Sequence, residues 1–372
     1  MNTALIEVLT VPALLGGAVT FFLAVLIVLT KSWHGSWSID SQIGIQKFHT
    51  DPTPRIGGVA IAAGAVAAYL VSPKGFFHGM LWPLLLASAP AFAFGLLEDL
   101  TKRVGVRARL LATMASGVIG WGITGLSITD VQIPGVDWLL SFTAISVMFT
   151  AFAVGGVANA INIVDGFNGL AAGTVLVILA GFAVIGVEVN DPEIVRVCGL
   201  FAAITFGFML VNWPFGKLFL GDGGAYFLGF SIAWMAVQIL ARHPEVSAWA
   251  PMLVCGYPIL EVGFSIYRRK KRDLDPGQAD RLHLHSLVKR RLVRKLMPGA
   301  SNLMRNSVTG ALMWGAAMVP AVIAVQFPTH SATRVLGFVL CVFLYSSLYA
   351  RLTQFRWCIK PATLQRRLVL KA

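Results

Sequence analysis

The run Asn159-Ala-Ile-Asn162-Ile-Val-Asp165-Gly-Phe-Asn168-Gly breaks into an apolar stretch otherwise long enough to cross a bilayer. Amides and carboxylates buried without partners are costly, so a cluster of this kind implies a water-accessible, functional edge. At three-residue spacing Asn159, Asn162 and Asp165 fall on one helical face, and Gly166 and Gly169 predict the helix end and a turn. A polar contact between helices is ordinarily met by one such residue. Three of them mark a functional edge.

Four further segments could take part in the same chemistry. Glu98 and Asp99 are adjacent at the end of a long apolar run, with Lys102 close by. Such a pair is costly unless a cation shares it, and magnesium with phosphate ligands commonly uses one or two carboxylates. Asp222 stands in the turn Gly221-Asp222-Gly223-Gly224, a few residues after Asn212. Flanking glycines let backbone amides approach an anion while the carboxylate reaches a metal. The segment from Gln46 to Gly58 is kept extended by Pro52 and Pro54 and carries Lys47, His49 and Arg55, which could hold phosphate. In Asp280-Arg281-Leu-His283-Leu-His285-Ser286, two histidines lie next to Arg281. Rings at i and i+2 cannot share one helical face, so a turn or extended segment is expected. It suits a pyrophosphate or a sugar better than zinc, whose ligand spacing is missing. The run Arg268–Arg272 reads as a solvated charge run.

The elements that must position these residues are membrane helices. Of 372 residues, 56% are hydrophobic and 13% charged, a balance that excludes a soluble globular domain. An all-α, polytopic helical bundle of about eleven spans is expected, at roughly 8–30, 56–72, 79–97, 108–126, 139–158, 169–188, 194–212, 224–240, 248–267, 307–326 and 334–350. The first run reads as a retained span rather than a signal peptide. Cys198, Cys255, Cys341 and Cys358 show no metal or disulfide spacing and read as small apolar residues.

The basic residues predict orientation. Of the 30 Lys and Arg, all but Lys74, Arg196, Arg242 and Arg334 fall in 31–55, 98–109, 213–223, 268–306 and 351–372. The positive-inside rule makes these segments cytoplasmic, with the N-terminus outside and the C-terminus inside. The net charge of +13 is then a topological and lipid-holding signal, with no nucleic-acid partner expected. One membrane-embedded domain over 1–372 results, ending in a basic tail at 351–372. Its cytoplasmic segments 31–55, 98–109, 159–168, 213–223 and 268–306 form one active site. A transporter or flippase would instead place ionisable groups near the midplane, commonly with internal repeats, and none is evident.

Taken in chain order, these segments resemble the polyprenyl-phosphate N-acetylhexosamine-1-phosphate transferases. The resemblance covers roughly residues 45–306, and its specific part is Asn-x-x-Asn-x-x-Asp-Gly followed by Gly-Asp-x-Gly. It implies transfer of a sugar-1-phosphate from a UDP-N-acetylhexosamine to undecaprenyl phosphate, at the cytoplasmic face of a bacterial inner membrane. It further implies Mg2+, with Mn2+ as an alternative, and admits a homodimer. Asp99 and Asp222 would be catalytic and metal-binding, with Glu98, Lys102 and His283 catalytic beside them. Lys47, Arg55, Asn159, Asn162, Asp165, Asn168, Asn212, Arg281 and His285 would bind substrate. Glu98 departs from the family's usual Asp, and Ser286 stands where many members carry a third His. The missing run of adjacent histidines points away from the peptidoglycan branch, the phospho-MurNAc-pentapeptide translocases. It favours initiators of O-antigen and other polysaccharides, which use UDP-GlcNAc or 6-deoxy relatives such as UDP-FucNAc and UDP-QuiNAc.

Overall fold

The computed structural model describes residues 3–39, 52–73, 78–275, 280, 282–326 and 331–354. These residues are helical apart from turns and one isolated bridge between Ile39 and Pro54. The first half of the chain forms α1 (Thr3–Leu29), α2 (Lys31–Ser38), α3 (Gly57–Val71), α4 (His78–Ala87), α5 (Ala89–Thr101), α6 (Val106–Thr124), α7 (Val136–Leu140) and α8 (Thr143–Val164). The second half forms α9 (Leu170–Glu188), α10 (Pro192–Asn212), α11 (Gly221–Arg242), α12 (Trp249–Val254), α13 (Gly256–Lys270) and α14 (Leu284–Val288). A π turn (Lys289–Val293) then leads to α15 (Arg294–Leu296), α16 (Asn302–Val325) and α17 (Ser331–Thr353).

Each of the eleven expected spans is helical, but the helices are not alike. Seven described helices are long and apolar enough to cross a bilayer: α1 from Val11, α8, α9, α10, α11, α16 and α17. An eighth arises if α4 and α5 count as one span, bent by 41°. The break falls at Ser88, whose hydroxyl bonds the Leu85 carbonyl, just before Pro90. The expected span at 56–72 is the 15-residue α3, which is short for a crossing. The span expected at 248–267 is broken at Cys255 into α12 and α13. Many large apolar side chains face outward, among them Phe22, Phe152, Val187, Leu336 and Phe343. That is the surface a lipid solvent requires.

The centre is α11, buried almost continuously from Gly221 to Ile239. Helices α3, α5, α6, α8 and α9 pack around it. The first turn of α11 is approached so closely that side chains would not fit. A Cβ on Gly58 would lie 2.2 Å from the Gly224 nitrogen, and one on Gly95 would lie 2.7 Å from the Asp222 carbonyl carbon. Such contacts between backbones are how small residues tie membrane helices together.

Candidate active site

The polar segments meet at the N-terminal end of α11. Asp99, in the last turn of α5, is buried, and its two oxygens accept the backbone N–H groups of Asp222 and Gly223 at 2.9 Å each. It therefore serves the exposed donors of the first turn of α11, where a negative charge also meets the positive end of the helix. Arg55 lies between the acids, with its Nε 3.1 Å from Asp99 Oδ1 and a terminal nitrogen 3.1 Å from Asp222 Oδ1. The Arg55 loop is fixed by backbone bonds: Phe219 N–H donates to Pro54, while Gly57 N–H donates to Phe219.

Asp222 collects three donors. Besides Arg55, Asn162 Nδ2 donates to its Oδ1 at 3.0 Å, and a terminal nitrogen of Arg109 donates to its Oδ2. Gly221 makes this turn possible with φ of +74°; a Cβ there would lie 2.0 Å from the Arg55 carbonyl and 2.6 Å from Asp99 Oδ2. Asp165 caps the C-terminal end of α8, and the chain reverses through Gly166 and Gly169 into α9, as the glycines predict. Burial pushes the Asp165 carboxyl up to about 7, the charge of Asp222 adds to this, and Arg55 opposes it.

The remaining predicted residues are placed as follows. Asn159 points to α6, its amide donating to Thr113 Oγ1 at 3.2 Å and to the Gly155 carbonyl. Glu98 turns away from Asp99 to accept the Val104 N–H at 2.8 Å, closing the turn between α5 and α6. Lys102 sits in that turn in a left-handed conformation, exposed. Asn212 braces two turns, accepting the Gly169 N–H at 2.7 Å and donating to the Leu218 carbonyl at 2.8 Å. Asn168 is buried and donates to Ser307 Oγ and Pro214 O, so its bonds run to α16 rather than to the carboxylates. Lys47, Arg281 and most of the tail lie outside the described residues.

The histidine segment folds in as a second wall. His283 is extended and caps α14, and His285 lies in its first turn, yet their rings stack at 5.3 Å. The extended backbone at the first position removes the conflict that i, i+2 spacing has within a helix. His283 Nδ1 lies 3.0 Å from the Glu261 carboxylate, which also accepts the Leu284 N–H. The His285 ring meets Phe167 edge-on at 5.5 Å and Tyr257 Oη at 3.4 Å. Its Nε2 would be 2.9 Å from a Cβ on Gly166. The pair therefore borders the Asp165 loop. Burial pushes His285 down to about 4, with Glu261 opposing and His283 assisting, so its imidazole is neutral at physiological pH. Lys289 joins this wall 5.1 Å from the Phe167 ring centroid.

One expectation fails. Arg268 and Arg269 are buried rather than solvated. Arg268 donates to the Leu282 carbonyl and Tyr349 Oη and pairs with Asp280, anchoring the entry to the histidine segment. A positive-inside count could not see this, because it treats every base in a loop alike. Sequence reasoning also missed Arg109 and Glu261. Glu261 carries a signal in hindsight: it is an acid inside an expected span, costly unless partnered.

A divalent cation fits the donor set, although no group of three or more His, Cys, Asp or Glu among the described residues is arranged as a ready metal cage. Three acids, Asp99, Asp165 and Asp222, face two arginines. Burial, with the charge of Asp222 adding to it, is what keeps the Asp165 carboxyl near 7. A cation joined by phosphate oxygens needs no more than the one or two carboxylates that Asp222 and Asp165 offer.

At the head of the central helix, the clustered acids, arginines and amides form one enclosed polar site in an otherwise apolar helical bundle. Residues 81–240, which include α5, α6, α8 and α11, match the model of glycosyl transferase family 4. It is 27% identical over 243 residues to a "Probable undecaprenyl-phosphate N-acetylglucosaminyl 1-phosphate transferase" of Bacillus subtilis, covering 64% of this chain and 66% of that protein. It is 25% identical over 252 residues to an "Undecaprenyl-phosphate alpha-N-acetylglucosaminyl 1-phosphate transferase" of Yersinia pestis (66% and 68% covered). A "Decaprenyl-phosphate N-acetylglucosaminephosphotransferase" of Mycolicibacterium smegmatis is 28% identical over 277 residues (64% and 65% covered). The chain thus spans about two thirds of the length of these relatives.

Proposed function

We propose that the protein transfers an N-acetylhexosamine-1-phosphate from a UDP-sugar, UDP-GlcNAc or a 6-deoxy relative, to undecaprenyl phosphate and releases UMP. The reaction would start O-antigen or another envelope polysaccharide at the cytoplasmic face of a bacterial inner membrane. The observation that carries this reading is the convergence of Asp99, Asp165 and Asp222, from three separate helix ends, around Arg55 and Arg109. The named relatives, all polyprenyl-phosphate sugar-1-phosphate transferases, support it.

Both substrates are anions, so the site must neutralise charge and align the reacting groups. Asp222, with Asp165 beside it, would hold Mg2+, which when bound screens the phosphate oxygens of the donor. Asp99 fixes the first turn of α11 and so positions Asp222. Arg55 and Arg109 supply positive charge for the transferring group, and neutral His285 offers a hydrogen bond rather than a charge. An oxygen of the lipid phosphate forms a bond to the sugar-bound phosphorus, and the bond from that phosphorus to UMP breaks. With a second pKa near ~6 the lipid phosphate is already largely dianionic at neutral pH, so no strong base is needed.

Incubating membranes that contain the protein with labelled UDP-GlcNAc and undecaprenyl phosphate tests the reaction: label in the organic phase supports it. No lipid-linked product with any of a panel of UDP-sugars overturns it. A stoichiometric release of UMP in the absence of lipid acceptor would instead show two successive displacements.

A further inference from the structure

Arg109 is only half satisfied where it stands. One terminal nitrogen is given to Asp222, while its Nε is buried and has no hydrogen-bond partner among the described residues. Native structures seldom leave a buried donor in that state. A guanidinium presents its donors as a planar fork that matches two phosphate oxygens, so the free edge of Arg109 faces a place where such an acceptor belongs. Arg55 differs. Its bonds to Asp99 and Asp222 come from a loop pinned by Phe219, which makes it a fixed brace.

Asp222 is the counterpart of this incomplete pairing. Its Oδ1 already serves Arg55 and Asn162, so the oxygen that Arg109 occupies is the one a divalent cation has to claim. Charge then decides where Arg109 goes. A divalent cation bound at Asp222 would add two positive charges beside Arg55 and Arg109, a surplus that repels the Arg109 guanidinium from Asp222. A diphosphate absorbs the surplus and offers acceptors to the displaced fork.

We infer that Arg109 is a two-position cation: it pairs with Asp222 while the site is free of metal and donor, and moves onto the diphosphate oxygens when both bind. This rests on the proposed donor being a nucleoside diphosphate sugar. Its consequence is that Arg109 weakens binding of the metal alone but strengthens binding of metal and diphosphate together, which favours their joint arrival.

The test uses the detergent-purified full chain. Mn2+ binding is read by electron paramagnetic resonance and UDP binding by calorimetry at saturating Mn2+. Arg109→Ala is expected to bind Mn2+ alone about tenfold more tightly than the parent, and UDP about tenfold more weakly, each the effect of a single charge pair. Arg109→Lys, which keeps the charge but not the fork, is expected to retain the parent's Mn2+ affinity and still bind UDP more weakly. Arg107→Ala, exposed one turn-face away, is expected to leave both affinities unchanged. Mn2+ binding that is unchanged or weaker in Arg109→Ala overturns the inference. So does undiminished UDP affinity in both Arg109 variants, or no Mn2+ binding by any of the proteins. Neither measurement involves turnover, so loss of the transferase reading would show separately, as absent lipid product with Mn2+ binding still altered.

Discussion

The two ends of α11 hold the same kinds of residue and put them to different use. At its C-terminal end Arg242 lies 3.0 Å from Asp191 and 2.8 Å from Glu193, and His243 lies 2.9 Å from Asp191. Asp191 also caps α10, accepting the N–H groups of Glu193 and Ile194. Burial works against its charge, but the His243 and Ile194 bonds and Arg242 hold its carboxyl below the usual range. At the N-terminal end Asp165 is pushed the other way, up to about 7. Composition does not explain the difference. The far cluster is part-exposed, with Glu245 54% and Arg242 34% accessible, so water and partners satisfy it and it acts as a staple. The near cluster is enclosed, with Asp99 and Asp222 only 1% and 9% accessible, so its acids depend on the arginines, amides and backbone N–H groups that reach them.

That contrast can be broken by exchanging small pieces of each end. Asp222→Ala should lower transfer by about a thousandfold while the protein remains folded, the scale expected when a principal electrostatic group is removed. Residual turnover near the parent's in a labelled-lipid assay would place the chemistry elsewhere. Gly221→Ala forces a Cβ into the Arg55 carbonyl at positive φ. It should cost at least about 2 kcal/mol of stability, seen as a lower midpoint of thermal unfolding in detergent, and should reduce turnover with it. A variant with parental midpoint and rate would show that the turn does not need its left-handed backbone.

Smaller effects belong to the far end. Asp191→Ala removes a helix cap and the centre of the staple, which should cost about 1 kcal/mol without altering turnover at saturating substrate. A large fall in rate in a variant that remains folded would mean that the two ends are coupled through α11. The subtlest effect concerns Asp165. Its folded pKa, about 7, lies above its unfolded value near 3.9, so the folded state holds the proton more tightly. Its contribution is fully present at low pH and is lost as pH rises from about 4 towards 7. Asp165→Asn cannot titrate, so the difference in unfolding midpoint between variant and parent should grow in the variant's favour over that interval. A difference independent of pH would mean that Asp165 is ionised throughout.

Much of the near end was legible in the chain. Polar residues inside apolar runs are expensive, so Asn159, Asn162, Asp165, Asp99 and Asp222 stand out, and glycines mark the turn after α8. Their division of labour was not legible. Glu98 and Asp99 are adjacent and equally acidic, but successive residues on a helix point in different directions, so only Asp99 reaches α11. Asn168 and Asn212 share the motifs yet brace turns. Arg109 resembled any other base of a positive-inside loop, and Arg268 was hidden in a charge run.

The sequence by itself determined that the chain is a membrane-embedded helical protein, because the cost of placing polar groups in lipid is local and can be summed along the chain. It also marked the polar residues that are costly to leave inside apolar runs. Only the tertiary structure decided which acid meets which base, since that depends on helices far apart in sequence closing on one another across bare glycines. Within an enclosed site a contact across a few ångströms outweighs every local preference, and such contacts exist only once the bundle has formed.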